Sequence, residues 1–394
     1  MKRSIASRQV DARLPPSSYA LQARDVAWCF CLTFFALVIF FSAKTRVLPL
    51  LEGPLTFDGQ YYMDIFERGY SFDGDIENKQ NTAFMPLTAG VIGLATRVIP
   101  GAHDLVEVAV LGAAVLFGTL VGLHVLASRY AGSQAGRLAT LLWAGSPLAL
   151  YNFVGYSEPL FALLSVWIFI AIDSKRLWDA TLLAAIALVG RPQAFVLAVF
   201  VALAILSHAR WRPRSLFDGP GVVQLCLMVA PLMTFATWQA IQFGDSLTYI
   251  NSLEAWRRGS FMDANLTAGP ALLHLFQAVS GEAQTLSHWT TLLATLSLVV
   301  IAAVLMVAAA GPTRVVAFYV AILTFLFATA SFDATNVARH TFFMFPWALI
   351  LGVAIAKVCA SEARKLIGLV PFLAFAILVN SYAVMRYYRG EWVS

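Results

Sequence analysis

The chain has 394 residues, 59% of them apolar and only 12% charged, with a formal net charge of +5 and a mean hydropathy of +0.74. A soluble domain of this length carries about 25% charged residues, so the composition excludes soluble nucleotide-binding folds and points to a polytopic, all-α membrane protein. The basic balance therefore concerns which loops hold charge at a bilayer, not nucleic acid.

Residues 1–25 hold Lys2, Arg3, Arg8, Arg13 and Arg24 without an apolar run and read as a cytoplasmic tail. The first span, 26–43, lacks a small-residue cleavage site and reads as an uncleaved anchor. A polar first loop follows over 44–104, then spans near 105–128, 137–153, 157–173, 178–190 and 192–207. Further spans lie near 222–243, 286–309, 314–331, 341–357 and 366–385, with a second large loop at 244–285 and a tail at 386–394. The apolar stretch 83–99 contains Pro86 and ends near Arg97; whether it crosses decides the topology. If it does not cross, the tail and the loops near 129–137, 174–179, 208–219, 310–314 and 357–365 share one side and carry more than half of the 27 Lys and Arg residues. The positive-inside rule then gives about 11 transmembrane helices, a cytoplasmic N-terminus and an external C-terminus. Residues 26–385 form a single transmembrane domain on this reading.

Cys29, Cys31, Cys226 and Cys359 lie in or at the ends of spans, so neither a disulfide framework nor a zinc site is expected. His103, His124, His208, His274 and His288 show no metal-ligand spacing.

The polar residues with chemical potential collect on the external side. Asp58 either caps a short helix bearing Tyr61, Tyr62, Ile65 and Phe66, or serves as a general base whose proton affinity is raised at the membrane surface. Gln60, Tyr61, Tyr62 and Asp64 share its segment and join it as substrate-binding candidates; Asp73, Asp75 and Glu77 read as a solvated turn. Glu158, in a helix start capped by Ser157 with Pro159 in the first turn, either complements the helix N-terminus or lines a cavity. Gly190-Arg191-Pro192 interrupts two short spans, and an Arg at such a break points to an aqueous pocket. Trp256, Arg257 and Arg258 suit sugar stacking and phosphate contact, or an interfacial anchor. Arg339, beside His340, either snorkels to lipid phosphate or clamps a phosphate leaving group with its fork of donors.

Taken in order, these segments resemble the PIG-V-type mannosyltransferases (GPI mannosyltransferase II and bacterial relatives). The resemblance rests on Asp58-Gly59-Gln60-Tyr61-Tyr62, Gly69-Tyr70, Asn81-Thr82-Ala83-Phe84-Met85-Pro86-Leu87, Tyr156-Ser157-Glu158-Pro159, Gly190-Arg191-Pro192, and Arg339-His340 before Phe345-Pro346. Phe57 and Tyr61 stand where that family has Trp, Met85 where it has Phe, and His340 where it has Tyr. The resemblance implies a GT-C fold whose first external loop carries juxtamembrane helices, with the site on the external face of what would be a bacterial inner membrane. It implies hexose transfer, mannose in the family, from a polyprenyl-phosphate donor, with Asp58 matching the family's proposed base. The acceptor would be a glycolipid, glycan or protein. No cofactor is expected beyond the donor itself, and some members work with a small membrane partner subunit. The competing readings are a secondary transporter, which broken helices also suit, and a non-catalytic lipid-binding subunit.

Overall fold

The computed structural model describes residues 20–49, 55–98, 104–210, 212–217, 219–256, 312–329, 343–358 and 362–391, together with Gly53 and Arg339. Among the described residues there are helices and turns and no strand. Four helices among the described residues are long and apolar enough to cross a bilayer, Ala23–Lys44, Leu105–Ala144, Gly221–Phe243 and Leu369–Tyr388, and shorter apolar helices accompany them.

Helix α1 (Ala23–Lys44) starts after Gln22, whose backbone N–H donates to the Asp25 carboxylate at 3.3 Å. It exposes Phe30, Phe34 and Phe35 and buries Cys29, Ala36 and Phe40. That inversion suits a helix with lipid on one side and protein on the other, because no water needs to be met at that depth. Two helices of the first loop follow, α2 (Asp58–Arg68) and α3 (Pro86–Val98). α3 has 13 residues. It packs on α2, where the Phe66 ring occupies the space next to Gly93.

Helix α4 (Asp104–Ala144) is a helical hairpin folded at Ala131 and Gly132, whose backbones leave the helical region. A side chain at Gly136 would meet Ser128 Oγ at 2.3 Å and the His124 ring at 2.8 Å, so the arms 104–130 and 133–144 lie side by side. These arms correspond to the apolar stretches expected near 105–128 and 137–153. The second arm stops at Ala144 rather than 153, because Gly145 and Pro147 cannot continue it. Residues Ala149–Asn152 form a 3₁₀ turn instead.

The bundle continues with α5 (Glu158–Asp173), α6 (Leu177–Leu188), α7 (Ala194–His208), the one-turn α8 (Pro213–Phe217), α9 (Gly221–Phe243) and α10 (Thr248–Ser252). It ends with α11 (Pro312–Thr329), α12 (Pro346–Val358) and α13 (Glu362–Tyr388). The span expected at 286–309 lies outside the described residues. α12 packs most extensively on α4, where Gly352 lets the backbones approach: an added Cβ would lie 2.7 Å from the Ala139 nitrogen. Small residues at such crossings permit close packing in lipid.

The two ends of the bundle differ in chemistry. One gathers Arg129, Tyr130, Asp173, Arg176 and Arg314, with Asp173 accepting from Tyr130 Oη and from Arg314 Nη1, both at 2.7 Å. The other end gathers the C-terminus of α1, helices α2 and α3, the N-terminus of α5, the α6–α7 break, Arg339 and the C-terminus of α13. The candidate site lies there.

Candidate functional site

Four charged side chains alternate in sign across this end. Arg339 Nη1 lies 3.0 Å from Asp58 Oδ2, and Arg339 Nε lies 2.9 Å from Glu158 Oε1. Glu158 Oε2 in turn lies 2.8 Å from Arg191 Nη1. The side chains are 18% (Asp58), 8% (Arg339), 3% (Glu158) and 9% (Arg191) exposed, so the cluster opens outward at Asp58. Arg339 also lies over the rings of Tyr151 and Tyr156, 5.6 and 5.2 Å from their centroids. Ring faces there stabilise a desolvated guanidinium.

Each charge is delivered by a helix end or a break. Asp58 is the first residue of α2, and Gly59 brings that helix against the 152–156 turn, where an added Cβ would sit 2.4 Å from the Val154 carbonyl oxygen. Asp58 is not the helix cap: Phe57 holds the cap position, and the carboxylate is turned to Arg339. Ser157 does hold the cap position of α5, yet makes no side-chain cap hydrogen bond. Its backbone is already helical, which removes the usual cap geometry, and its hydroxyl accepts from Arg191 Nη1 at 3.2 Å. Glu158 thus both begins α5 and faces inward. Arg191 stands in the break between α6 and α7, where its Nε donates to Gln193 Oε1 at 3.0 Å.

Burial sets the electrostatics. Desolvation raises the Asp58 pKa above its ordinary 3.8, and Glu158 adds to the rise while Arg339 and Arg191 oppose it. A carboxylate poised in this way is a better proton acceptor than one in water. The two guanidiniums, fixed among two carboxylates, offer a fork of donors to an entering anion.

The other expected residues divide. Tyr62 is buried and within hydrogen-bonding reach of Ser157. Gln60 is exposed and bonds Tyr61. Tyr61 stacks on Phe84, with centroids 4.8 Å apart and planes at 11°. Asp64 accepts from Asn81 Nδ2 at 2.7 Å and pairs with Arg68 at 3.4 Å, so it ties the loop together. Tyr61 and Asp64 line a cavity of about 320 Å³ with Phe72, Asp73, Lys79 and Asn81. Arg257, Arg258 and His340 lie outside the described residues; Trp256 closes the 3₁₀ turn Leu253–Trp256. Asp73, Asp75 and Glu77 are exposed and bonded within their own turn, as expected of a solvated segment.

Tyr151, Tyr156 as a ring partner, Ser157 as a partner of Arg191, and Asn81 as the loop's fastener were not singled out from sequence. Asn81 donates to Gly69 O at 3.0 Å and accepts from Ser71 N at 2.9 Å as well as bonding Asp64. Only its place in the Asn81–Leu87 motif hinted at this.

No family model and no curated protein sequence matches the chain. Solved structures do. ArnT from Cupriavidus metallidurans bound to undecaprenyl phosphate superposes with a TM-score of 0.53 at 14% identity, over 91% of this chain and 65% of ArnT. The same protein in the apo state gives a TM-score of 0.51 at 13% identity, over 93% of this chain and 68% of ArnT. The chain thus spans about two thirds of ArnT's length. At these identities the likeness establishes the fold alone: the chain shares the all-helical membrane-protein architecture of ArnT.

Proposed function

We propose that the chain is a membrane glycosyltransferase that moves a hexose from a polyprenyl-phosphate donor to an acceptor hydroxyl, with Asp58 as general base. The observation that carries this reading is the alternating Asp58–Arg339–Glu158–Arg191 cluster at one end of the bundle. The ArnT structure with undecaprenyl phosphate supports a lipid-phosphate donor for this fold.

In the proposed step the acceptor hydroxyl attacks the anomeric carbon. The new C–O bond forms as the bond to the phosphate oxygen breaks on the opposite face, inverting the centre. The hydroxyl proton passes to Asp58, and the bond pair leaves with the phosphate, which gains a second negative charge. Arg339, helped by Arg191, offsets that charge where it develops, in surroundings that hold little water. Glu158 keeps both guanidiniums aimed between turnovers. The cavity beside Tyr61 and Asp64 would admit the acceptor one to two helical turns along α2 from Asp58.

Mannose is the sugar the sequence resemblance favours, and a glycolipid, glycan or protein is the acceptor class. We place the site on the extracytoplasmic face of a bacterial inner membrane. The opposite end of the bundle, with Arg129, Arg176 and Arg314, supplies the basic face expected of the cytoplasm. The same reasoning favours eleven spans, with α2 and α3 remaining in the first external loop.

The test is Asp58→Asn in proteoliposomes supplied with polyprenyl-phosphate hexoses and a panel of acceptors. A base contributes about 10²- to 10⁴-fold, so transfer should fall by that much in a protein that remains folded. Undiminished transfer would eliminate Asp58 as the base.

A further inference from the structure

Tyr387 lies next to the C-terminal residue of α13 and is 1% exposed. Its hydroxyl engages both backbone groups of a single residue far away in sequence. It accepts from Thr56 N–H at 2.9 Å and donates to Thr56 O at 2.9 Å. The next residue, Phe57, has φ 53° and ψ −129°. A bulky side chain is an outlier at that φ, and the pair of angles belongs to the first central position of a II′ turn, which glycine ordinarily fills. Such a backbone persists only where its surroundings over-determine it.

Three contacts do so. The Thr56 bonds fix the chain before Phe57, the Phe57 ring packs 5.7 Å from the Tyr387 ring, and the Gly59–Val154 approach fixes the chain after it. Phe57 is the cap residue of α2 and makes no side-chain cap bond, so its dihedrals set the direction in which α2 departs. The first residue of that helix is Asp58. A relaxation of Phe57 to negative φ would swing the carboxylate relative to Arg339, which is fixed separately by Glu158 and the two tyrosine rings.

We infer that Tyr387 is a positioning residue: its hydroxyl latches Thr56 on both sides, holds Phe57 in the left-handed turn and thereby keeps Asp58 against Arg339. This rests on the reading of Asp58 as the base. Tyr387 acts through Phe57 and need not touch substrate. The latch makes the end of the last helix a part of the site's geometry, although that helix otherwise packs on α1.

The experiment is a double-mutant cycle of Tyr387→Phe and Phe57→Gly in the full chain. Tyr387→Phe keeps the ring and removes the hydroxyl, while Phe57→Gly removes the cost of positive φ. Tyr387→Phe should lower kcat for transfer from a polyprenyl-phosphate hexose on the order of tenfold to a hundredfold, with KM for that donor unchanged, as expected for a misaimed reacting group. In the Phe57→Gly background the same change should cost less than about threefold, since the turn then needs no latch. Equal losses in both backgrounds, or a change in KM alone, would overturn the positioning role. Thermal midpoints in detergent give a reading independent of activity. Tyr387→Phe should lower the midpoint more with Phe57 present than with Gly there, and equal shifts would overturn the latch itself. Coupled midpoints together with transfer that is insensitive to both Tyr387→Phe and Asp58→Asn would retain the latch, remove its catalytic purpose, and sink the Asp58 reading separately.

Discussion

Arg339 Nη1 reaches Asp58 Oδ2 at 3.0 Å across 281 positions of sequence, and the same guanidinium touches Glu158 through Nε at 2.9 Å. One planar cation thus joins two carboxylates from different helices. An ammonium on a flexible stem cannot reproduce that fork. Arg339→Lys should keep the fold but lower turnover. Arg339→Ala should lose about 3–5 kcal/mol of stability, because two largely buried carboxylates would be left beside one guanidinium. Thermal unfolding in detergent measures this, and an unchanged midpoint for Arg339→Ala would contradict the pairing.

The two carboxylates should not be equivalent. Glu158 is 3% exposed and pairs with both arginines, whereas Asp58 is 18% exposed and pairs with one. Glu158→Gln should therefore destabilise the protein more than Asp58→Asn, since it leaves two buried cations with a single counter-charge. Asp58→Asn should instead fall mainly on turnover. Comparing midpoints with transfer rates for the two variants decides the point, and the reverse ranking would place the structural role on Asp58.

The pH dependence has a definite sign. Burial, then Glu158, raises the pKa of Asp58, and a base must be deprotonated to act. Activity should therefore rise with pH through a value above the ordinary 3.8 of an aspartate. Glu158→Gln removes one cause of the rise, so its acidic limb should move to lower pH. A limb in kcat/KM that stays fixed in this variant would show that another group controls it.

How much of this was legible follows from the range of the contacts. Hydropathy located the long helices among the described residues because each carries its own apolar run, and the Gly145–Pro147 break explains why one arm ended early. Asp58, Glu158, Arg191 and Arg339 stood out because charge is scarce in such a chain. Which charge meets which was not legible, since the contacts join α2, α5, the α6–α7 break and the approach to α12. The roles of Tyr151 and Tyr387 were hidden for a different reason: aromatics near helix ends normally read as interfacial anchors. Asp64 shows a second kind of illegible contact: the carboxylate also ties the loop together through Asn81 and Arg68.

Asn81 carries a prediction of its own. Its amide bonds Asp64 and Gly69 O and receives Ser71 N–H, which closes the loop between α2 and α3. Asn81→Ala should cost about 1 kcal/mol, the net worth of hydrogen bonds whose partners are partly exposed and can turn to water. The loss should be local, so amide exchange should quicken across 69–84 before it does in α4 or α5. Uniform quickening would argue for a global role.

Glycine contacts separate close approach from mere permissiveness in the same loop. At Gly59 an added Cβ would meet the Val154 carbonyl oxygen at 2.4 Å, while at Gly90, within α3, nothing lies within 4 Å. Backbone at Val154 cannot yield as a side-chain tip can, so Gly59→Ala should cost about 1–3 kcal/mol through overpacking. It should also tilt α2 and so disturb the Asp58–Arg339 contact, lowering transfer along with stability. Gly90→Ala should instead stabilise by up to about 1 kcal/mol, because alanine loses less conformational freedom in a helix. Thermal midpoints of the two variants, measured side by side, should move in opposite directions. A Gly59→Ala protein as stable and active as the parent would mean that α2 does not press on the 152–156 turn, and the geometry that aims Asp58 would have to come from the Tyr387 side alone.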